Sequence, residues 1–485
     1  MIGTSLAEWI FIRLSVACFR YAPLLYIGIF LVIRFLFCDS QLLGWPYLLL
    51  CSLLAAEALF YITVQRPYAR RLGQAAVHPE PLSSQQRRIL FDRCISNVPD
   101  HQLYLRWWFL GASIDDICRD NLREFLLWAF FDATEQDVRH DDSIQQELDE
   151  YIDIIEGQLG RRLSLGRGEA KCLRLTLDGI TSTYRGLLWY SIVFLVDQLT
   201  HLAMLSHGFQ FYARSPSVAL RTIPPRPQEL IALRRSPVSD LSYWYYPHCR
   251  TNGELPIVFF HGIGIGLWTY IRFVADLRAA KTRGVIAIEL LPISFRLTAP
   301  PPDKLRFLLQ MVTILGHHQG WDKFAIASHS YGSVLATHML RSPALGHRVA
   351  SIVLIDPVTI MLHLPSVAYN FTRRYPSKAN EWQLWYFAST DPGVAHCLGR
   401  HFFWRENIIW KDELVSSGRR AAVCLAGRDL IVDVAEVLQY LKSNDQDSTI
   451  EVLVFPHLDH AQIFDDPSAR RRALDLVSSH CNSGA

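Results

Sequence analysis

The 485-residue chain has no C-x-x-C pair and no Cys/His group at metal-ligand spacing; its ten cysteines are scattered singly. That excludes a zinc-ribbon type of site and a compact disulfide framework, and it suits a chain whose bulk faces the reducing cytosol. Charge of one sign is also missing: 48 basic against 46 acidic residues leave +2, so the electrostatic footprint of a nucleic-acid binder is absent. No Lys-Ser/Thr follows the Gly-rich loop His261-Gly-Ile-Gly-Ile-Gly266, which removes a P-loop, and a lone Gly-x-Gly-x-Gly does not make a dinucleotide site. No repeat or low-complexity tract is seen. Neither a metal nor a cofactor is expected.

What the chain has in quantity is apolar surface. Half of its residues are hydrophobic, 12% are aromatic and the mean hydropathy is +0.13, values that point to membrane contact. The excess sits at the N-terminus. Tyr21 to Cys38 and Tyr47 to Val64 are each about the length that crosses a bilayer core, and they are joined by Asp39-Ser-Gln-Leu-Leu-Gly-Trp-Pro46. Arg13 and Arg20 precede the pair and Arg66, Arg70 and Arg71 follow it, while the connection carries no basic residue. The positive-inside rule then keeps both ends, and the bulk of the chain, on the cytosolic side. A cleaved signal peptide would show one shorter apolar core and a small-residue cleavage site, so the pair is expected to stay as an anchor. Arg34 and Glu57 lie inside the segments and are expected to pair across the hairpin or to snorkel.

A polar, Pro-containing linker follows at 78–86, then a helical pattern over Ile114 to Phe131 with Asp115 and Asp116 at its start. Trp107, Trp108 and Phe109 are read as packing residues. Leu187 to Leu205 is apolar enough for a third span, but Asp197, Gln198, Thr200 and His201 interrupt it, which favours a buried or membrane-surface helix. A Pro-rich stretch over Arg214 to Asp240 leads to Leu241-Ser-Tyr-Trp-Tyr-Tyr246, a candidate strand. The organisation predicted is an anchor over 1–75, a helical region and linker over 76–240, and a catalytic domain over 241–485.

From Leu255 onward short apolar runs alternate with helical stretches, the pattern of a doubly wound, mostly parallel α/β sheet. Candidate strands are Pro256 to Phe260, Gly284 to Leu290, Lys323 to Ala327, Ala350 to Ile355, Ala421 to Ala426 and Ile450 to Phe455, and chemistry-bearing residues fall just past several of their ends. Ser328-His-Ser-Tyr-Gly332 reads as a nucleophile elbow, with small residues two before and two after Ser330, where strand and helix nearly touch. Ser328 replaces the first Gly of G-x-S-x-G. The Gly-rich loop upstream can turn backbone N–H groups toward an oxyanion, Ile263 and Tyr331 being the expected pair. Asp429, in the turn after Ala421 to Ala426, is the favoured acid over Asp356; read blandly, it is a helix cap and Asp433 a surface residue. His460 is favoured over His457 as general base because it lies just ahead of the final helix. His317, His318 and His338 are read as structural or exposed.

Through HGIGIG, SHSYG, AGRDLIVD and HLDHAQIF, the region from Leu241 to the C-terminus resembles the α/β-hydrolase superfamily, in the order Ser, Asp, His expected of that fold. The rest resembles membrane-anchored α/β-hydrolase-domain proteins of filamentous fungi, with the run Arg400-His-Phe-Phe-Trp-Arg-Glu-Asn-Ile-Ile-Trp410. The resemblance implies Ser330 as nucleophile, Asp429 as acid, His460 as base, the Ile263 and Tyr331 N–H groups as oxyanion hole, and an acyl-serine route rather than an alkyl-enzyme one. It also implies a lid over about 358–420, rich in Trp382, Trp385, Tyr386, Phe387, Phe402, Phe403 and Trp404, whose aromatics favour a lipophilic ester or lipid substrate. A membrane-bound serine esterase is the leading expectation, with the endoplasmic reticulum as one suitable membrane. An acyltransferase or cyclase of secondary metabolism on the same fold, and a non-catalytic membrane scaffold, stay open at this point.

Overall fold

A computed structural model describes residues 2–36, 44–249, 253–278, 282–443 and 450–482. Its centre is a nine-stranded sheet: β1 (Gln210–Ala213), β2 (Arg234–Arg235), β3 (Tyr243–Tyr246), β4 (Ile257–Phe260), β5 (Val285–Ile288), β6 (Phe324–His329), β7 (Val349–Ile355), β8 (Arg420–Ala426) and β9 (Ile450–Phe455). The order across the sheet is β2-β1-β3-β5-β4-β6-β7-β8-β9. From β5 to β9 every pairing is parallel, while β3 runs antiparallel to both β1 and β5. The central strands are continuous apolar runs because both faces are covered. Along β4, Val258 and Phe260 enter one core with Ile286 and Ile326; Ile257 and Phe259 enter the other with Ala287 and Ala325. All seven strands expected from the sequence are present, and β1 and β2 extend the sheet upstream of Leu241.

The two N-terminal apolar helices outrun the spans read from hydropathy. α1 covers Leu6–Leu36, 31 residues, or about 46 Å at 1.5 Å per residue, against a bilayer core of about 30 Å. α2 covers Gly44–Phe60 and continues through Tyr61–Gln65 into Arg66–Leu72. The surplus length is used for docking. Ile12 and Val16 near the start of α1 pack with Trp382 and Tyr386, and Phe19 meets Trp189 and Phe387 edge-on. Leu24, Leu25, Leu31 and Val32 farther along α1, and Leu48, Leu49 and Leu53 on α2, are exposed. Most of the connection between the spans, 37–43, lies outside the described residues.

Glu57 does not serve as a cross-hairpin partner for Arg34. Arg34 is close to the distal end of α1, whereas Glu57 lies thirteen residues into α2, so the two differ in depth by about 15 Å. Glu57 is buried and accepts from the Tyr184 hydroxyl and from the backbone N–H of Leu187 at 3.0 Å. There it caps the N-terminus of the helix Leu187–Ser206, where a carboxylate complements the helix dipole.

The Leu187–Ser206 helix has two unlike faces. Val193, Asp197, Thr200 and Met204 are buried against the sheet side, while Leu195, Leu199, Leu202 and Leu205 are exposed. Asp197 pairs with Arg226 and Arg296, each at 2.8 Å; Arg226 also reaches Glu229 at 2.7 Å and Glu289 at 2.8 Å, and Arg214 holds Glu229 at 2.7 Å. Three arginines and three carboxylates thus neutralise one another in the interior, and Glu289 directly follows β5. An ionised residue is tolerated when buried if it is paired and hydrogen-bonded in this way.

The helix expected over Ile114 to Phe131 is broken. Ile117 is extended, and a new helix starts at Arg119 with the Asn121 side chain accepting from the Cys118 N–H.

Candidate active site

β6 ends at His329, and the chain turns sharply at Ser330 into the helix Gly332–Arg341. Ser330 holds φ at +50°, a left-handed conformation that strains a non-glycine residue by about 1–3 kcal/mol. The close approach that demands a small residue is real: a Cβ on Gly332 would stand 2.4 Å from the Phe260 carbonyl oxygen. Ser328 is fully buried beneath the turn, and its hydroxymethyl group is accommodated there.

The Gly-rich loop after β4 folds over this turn. A Cβ on Gly262 would lie 2.8 Å from the Ser330 Cβ and 2.6 Å from His329 Nδ1, so only glycine lets the loop come so near. The Gly262 N–H donates to the Tyr270 hydroxyl at 3.2 Å, and that hydroxyl lies 2.8 Å from His329 Nδ1. Burial lowers the His329 pKa, keeping the ring neutral and able to accept from Tyr270. Among the described residues no acceptor is paired with the N–H of Ile263 or of Tyr331, and both residues line the same cavity as Ser330.

Asp429 and His460 arrive from the ends of β8 and β9. One carboxylate oxygen of Asp429 accepts the N–H groups of Ile431 at 2.7 Å and Val432 at 3.0 Å, so the residue does cap its turn. Its other oxygen is 2.6 Å from His460 Nδ1. His460 Nε2 is in turn 2.9 Å from Ser330 Oγ. Burial opposes charging the imidazole, but the Asp429 charge and hydrogen bond outweigh it and raise the His460 pKa to about 9. The structure therefore brings Ser330, Asp429 and His460 into one hydrogen-bonded line, with Ile263 and Tyr331 beside the serine.

The competing residues are placed elsewhere. His457 is exposed. Asp356 is buried and spends its oxygens on the N–H groups of Ala426 at 2.8 Å and Ala461 at 3.0 Å, fastening the β8 turn to the His460 loop. Asp433 is exposed and caps the next helix through the Glu436 N–H. His318 stacks on Tyr245, and His338 pairs with Asn407. Donor atoms of Asp356, Asp429 and His460 lie within 4.8 Å of one another, yet both carboxylates are already committed to N–H groups, which fits a triad better than a metal centre.

An apolar cavity opens onto Ser330. Phe371, Phe402 and Trp404 line it, and so do Trp108 and Trp128 from the helical region before the sheet. Of the aromatics noted in the lid region, Phe402 and Trp404 line this cavity. Trp382, Tyr386 and Phe387 pack instead toward α1 and Trp189. Trp108 was expected only to pack; its neighbour in space, Trp128, gave no sign in the sequence beyond an apolar helical run.

A mostly parallel sheet with an elbow serine after one strand, a glycine loop before it, and an acid and a histidine after the last two strands is the α/β-hydrolase fold. No family model matches the sequence, and no curated protein does. Solved structures similar to it include a membrane phospholipase A described as a bacterial virulence factor, 15% identical with a TM-score of 0.39 over 61% of this chain and 94% of that one. Naproxen esterase from Bacillus subtilis is 15% identical with a TM-score of 0.37, over 58% and 97%. A thermophilic esterase from Thermogutta terrifontis is 14% identical with a TM-score of 0.36, over 50% and 95%.

Proposed function

We propose that the protein is a membrane-anchored serine hydrolase that cleaves carboxylic esters of lipophilic substrates. One observation carries this reading: Ser330 Oγ, His460 and Asp429 stand in hydrogen-bonded line, at 2.9 and 2.6 Å, and Ser330 lines an apolar cavity. In the proposed reaction His460 Nε2 takes the Ser330 proton as Oγ attacks the ester carbonyl, and the Ile263 and Tyr331 N–H groups receive the oxyanion. His460 then gives that proton to the departing alcohol. A water, deprotonated by His460, attacks the acyl-serine, the carboxylic acid leaves, and Ser330 regains its proton.

The apolar lining, in which Leu362 and Leu398 join Phe371 and the other aromatics, supports an acyl or other hydrophobic group as occupant. α1 and α2 would hold the enzyme at a bilayer, with both ends of the hairpin on the cytosolic side. The Leu187–Ser206 helix, tied down through Asp197 on one face and leucine-lined on the other, suits the membrane surface rather than a third crossing. Hydrolysis of p-nitrophenyl esters by detergent-solubilised full-length protein tests the reading. Ser330→Ala is expected to lower kcat by at least about a thousandfold; a folded Ser330→Ala protein as active as wild type would refute it.

A further inference from the structure

The six-residue helix Ala379–Leu384 touches both the membrane anchor and the candidate site. Ala379 and Trp382, with Tyr386 one turn on, cluster with Ile12 and Val16 of α1. The Arg13 guanidinium lies 4.0 Å from the centre of the Trp382 ring, Trp9 Nε1 donates to the Ser377 carbonyl at 3.1 Å, and the Ile2 N–H donates to Gln383 at 2.9 Å. Positions 379, 382 and 386 recur at helical spacing and so share a face, from which Asn380 points away.

Asn380 meets the triad through one carboxylate. Its Nδ2 donates to Asp459 Oδ2 at 2.6 Å, and both side chains are buried. Asp459 Oδ1 accepts from the backbone of both loops that matter: the N–H of Leu430, next to Asp429, at 3.0 Å, and the N–H of His460 at 2.7 Å. A single buried carboxylate therefore sets the spacing of acid and base, and its remaining oxygen is held by the helix on which α1 rests.

We propose that Asn380, acting through Asp459, is a positioning residue that makes the triad responsive to how α1 is seated against the Ala379–Leu384 helix. The hairpin is then part of the catalytic apparatus as well as an anchor. The proposal rests on the serine-hydrolase reading above. Removing the amide leaves a buried carboxylate oxygen without a donor, and Asp459 can recover one only by turning, which drags the His460 and Leu430 N–H groups with it. Displacing α1 moves the same helix from its other face.

The rate of fluorophosphonate labelling of Ser330, measured across neutral and alkaline pH on full-length protein in phosphatidylcholine vesicles, tests the link. Asn380→Leu, checked for folding by circular dichroism, is expected to label at least about tenfold more slowly and with a shifted midpoint of the pH profile. Arg13→Ala, at an exposed position on α1, is expected to slow labelling about threefold in the wild-type background and to have no further effect beside Asn380→Leu. Asn380→Leu labelling at the wild-type rate with an unmoved pH midpoint would overturn the proposal. If Asn380→Leu does not fold, Arg13→Ala alone decides: an unchanged rate refutes the link. Wild-type protein that does not label at all would instead strike the hydrolase reading, and this proposal would fall with it.

Discussion

Asp429 shows how one side chain meets a bland and a chemical reading at once. It caps its turn with one oxygen and orients His460 with the other, so Asp429→Asn keeps much of the cap while losing the charge that favours the imidazolium. A loss in kcat of about 10⁴-fold is expected, as when a triad histidine is left in the wrong tautomer. The pH profile gives the sign. Only neutral His460 can take the serine proton, so kcat/KM should rise with pH through about 9 in wild type and through a lower value in Asp429→Asn. Stability runs the other way: the raised pKa contributes stability that is full below the ordinary histidine value near 6.5 and is lost as pH climbs through about 9. A wild-type rate that is flat from neutral pH upward would contradict this. Ser330, Asp429 and His460 were legible in the sequence because each falls in a short polar break after an apolar strand. Asn380 and Asp459 were not, since their contact joins positions 79 apart and follows no periodicity.

At the scale of elements, the strands that the sequence announced are those covered on both faces, where burial forces a continuous apolar run. β1 is four residues directly behind an apolar helix, and β2 is a pair of exposed arginines, so neither carried that signal. The two N-terminal apolar helices were legible in position but read too short: the hydropathy reading is bounded by Arg20 and Arg66, whereas the helices continue through these residues to pack against the 358–420 insertion. The helix at Leu187–Ser206 shows what hydropathy cannot separate, because a leucine face over a buried ion network is still apolar enough overall to pass for a span, though less so than α1 or α2. Protease digestion of sealed vesicles separates the two arrangements. With two crossings and a surface helix, sites before α1 and throughout the sheet domain should be cut from the same side. Cleavage of the 1–5 segment and of the sheet domain from opposite sides would mean that Leu187–Ser206 crosses.

For the whole molecule, the helical region, the 358–420 insertion and the sheet loops converge on one cavity. Trp108 and Trp128 from the helical region complete its wall, and α1 braces the helix that fixes Asp459. Residues far apart along the chain, from Trp108 to Ile431, share the cavity at Ser330. The central claim is that this serine is an activated nucleophile. Fluorophosphonate treatment of folded, solubilised full-length protein, followed by peptide mass spectrometry, addresses it most directly. A stoichiometric adduct on Ser330, formed faster as pH rises toward 9, is the predicted result; folded protein with no adduct there, or with an adduct only on another residue, would contradict the account.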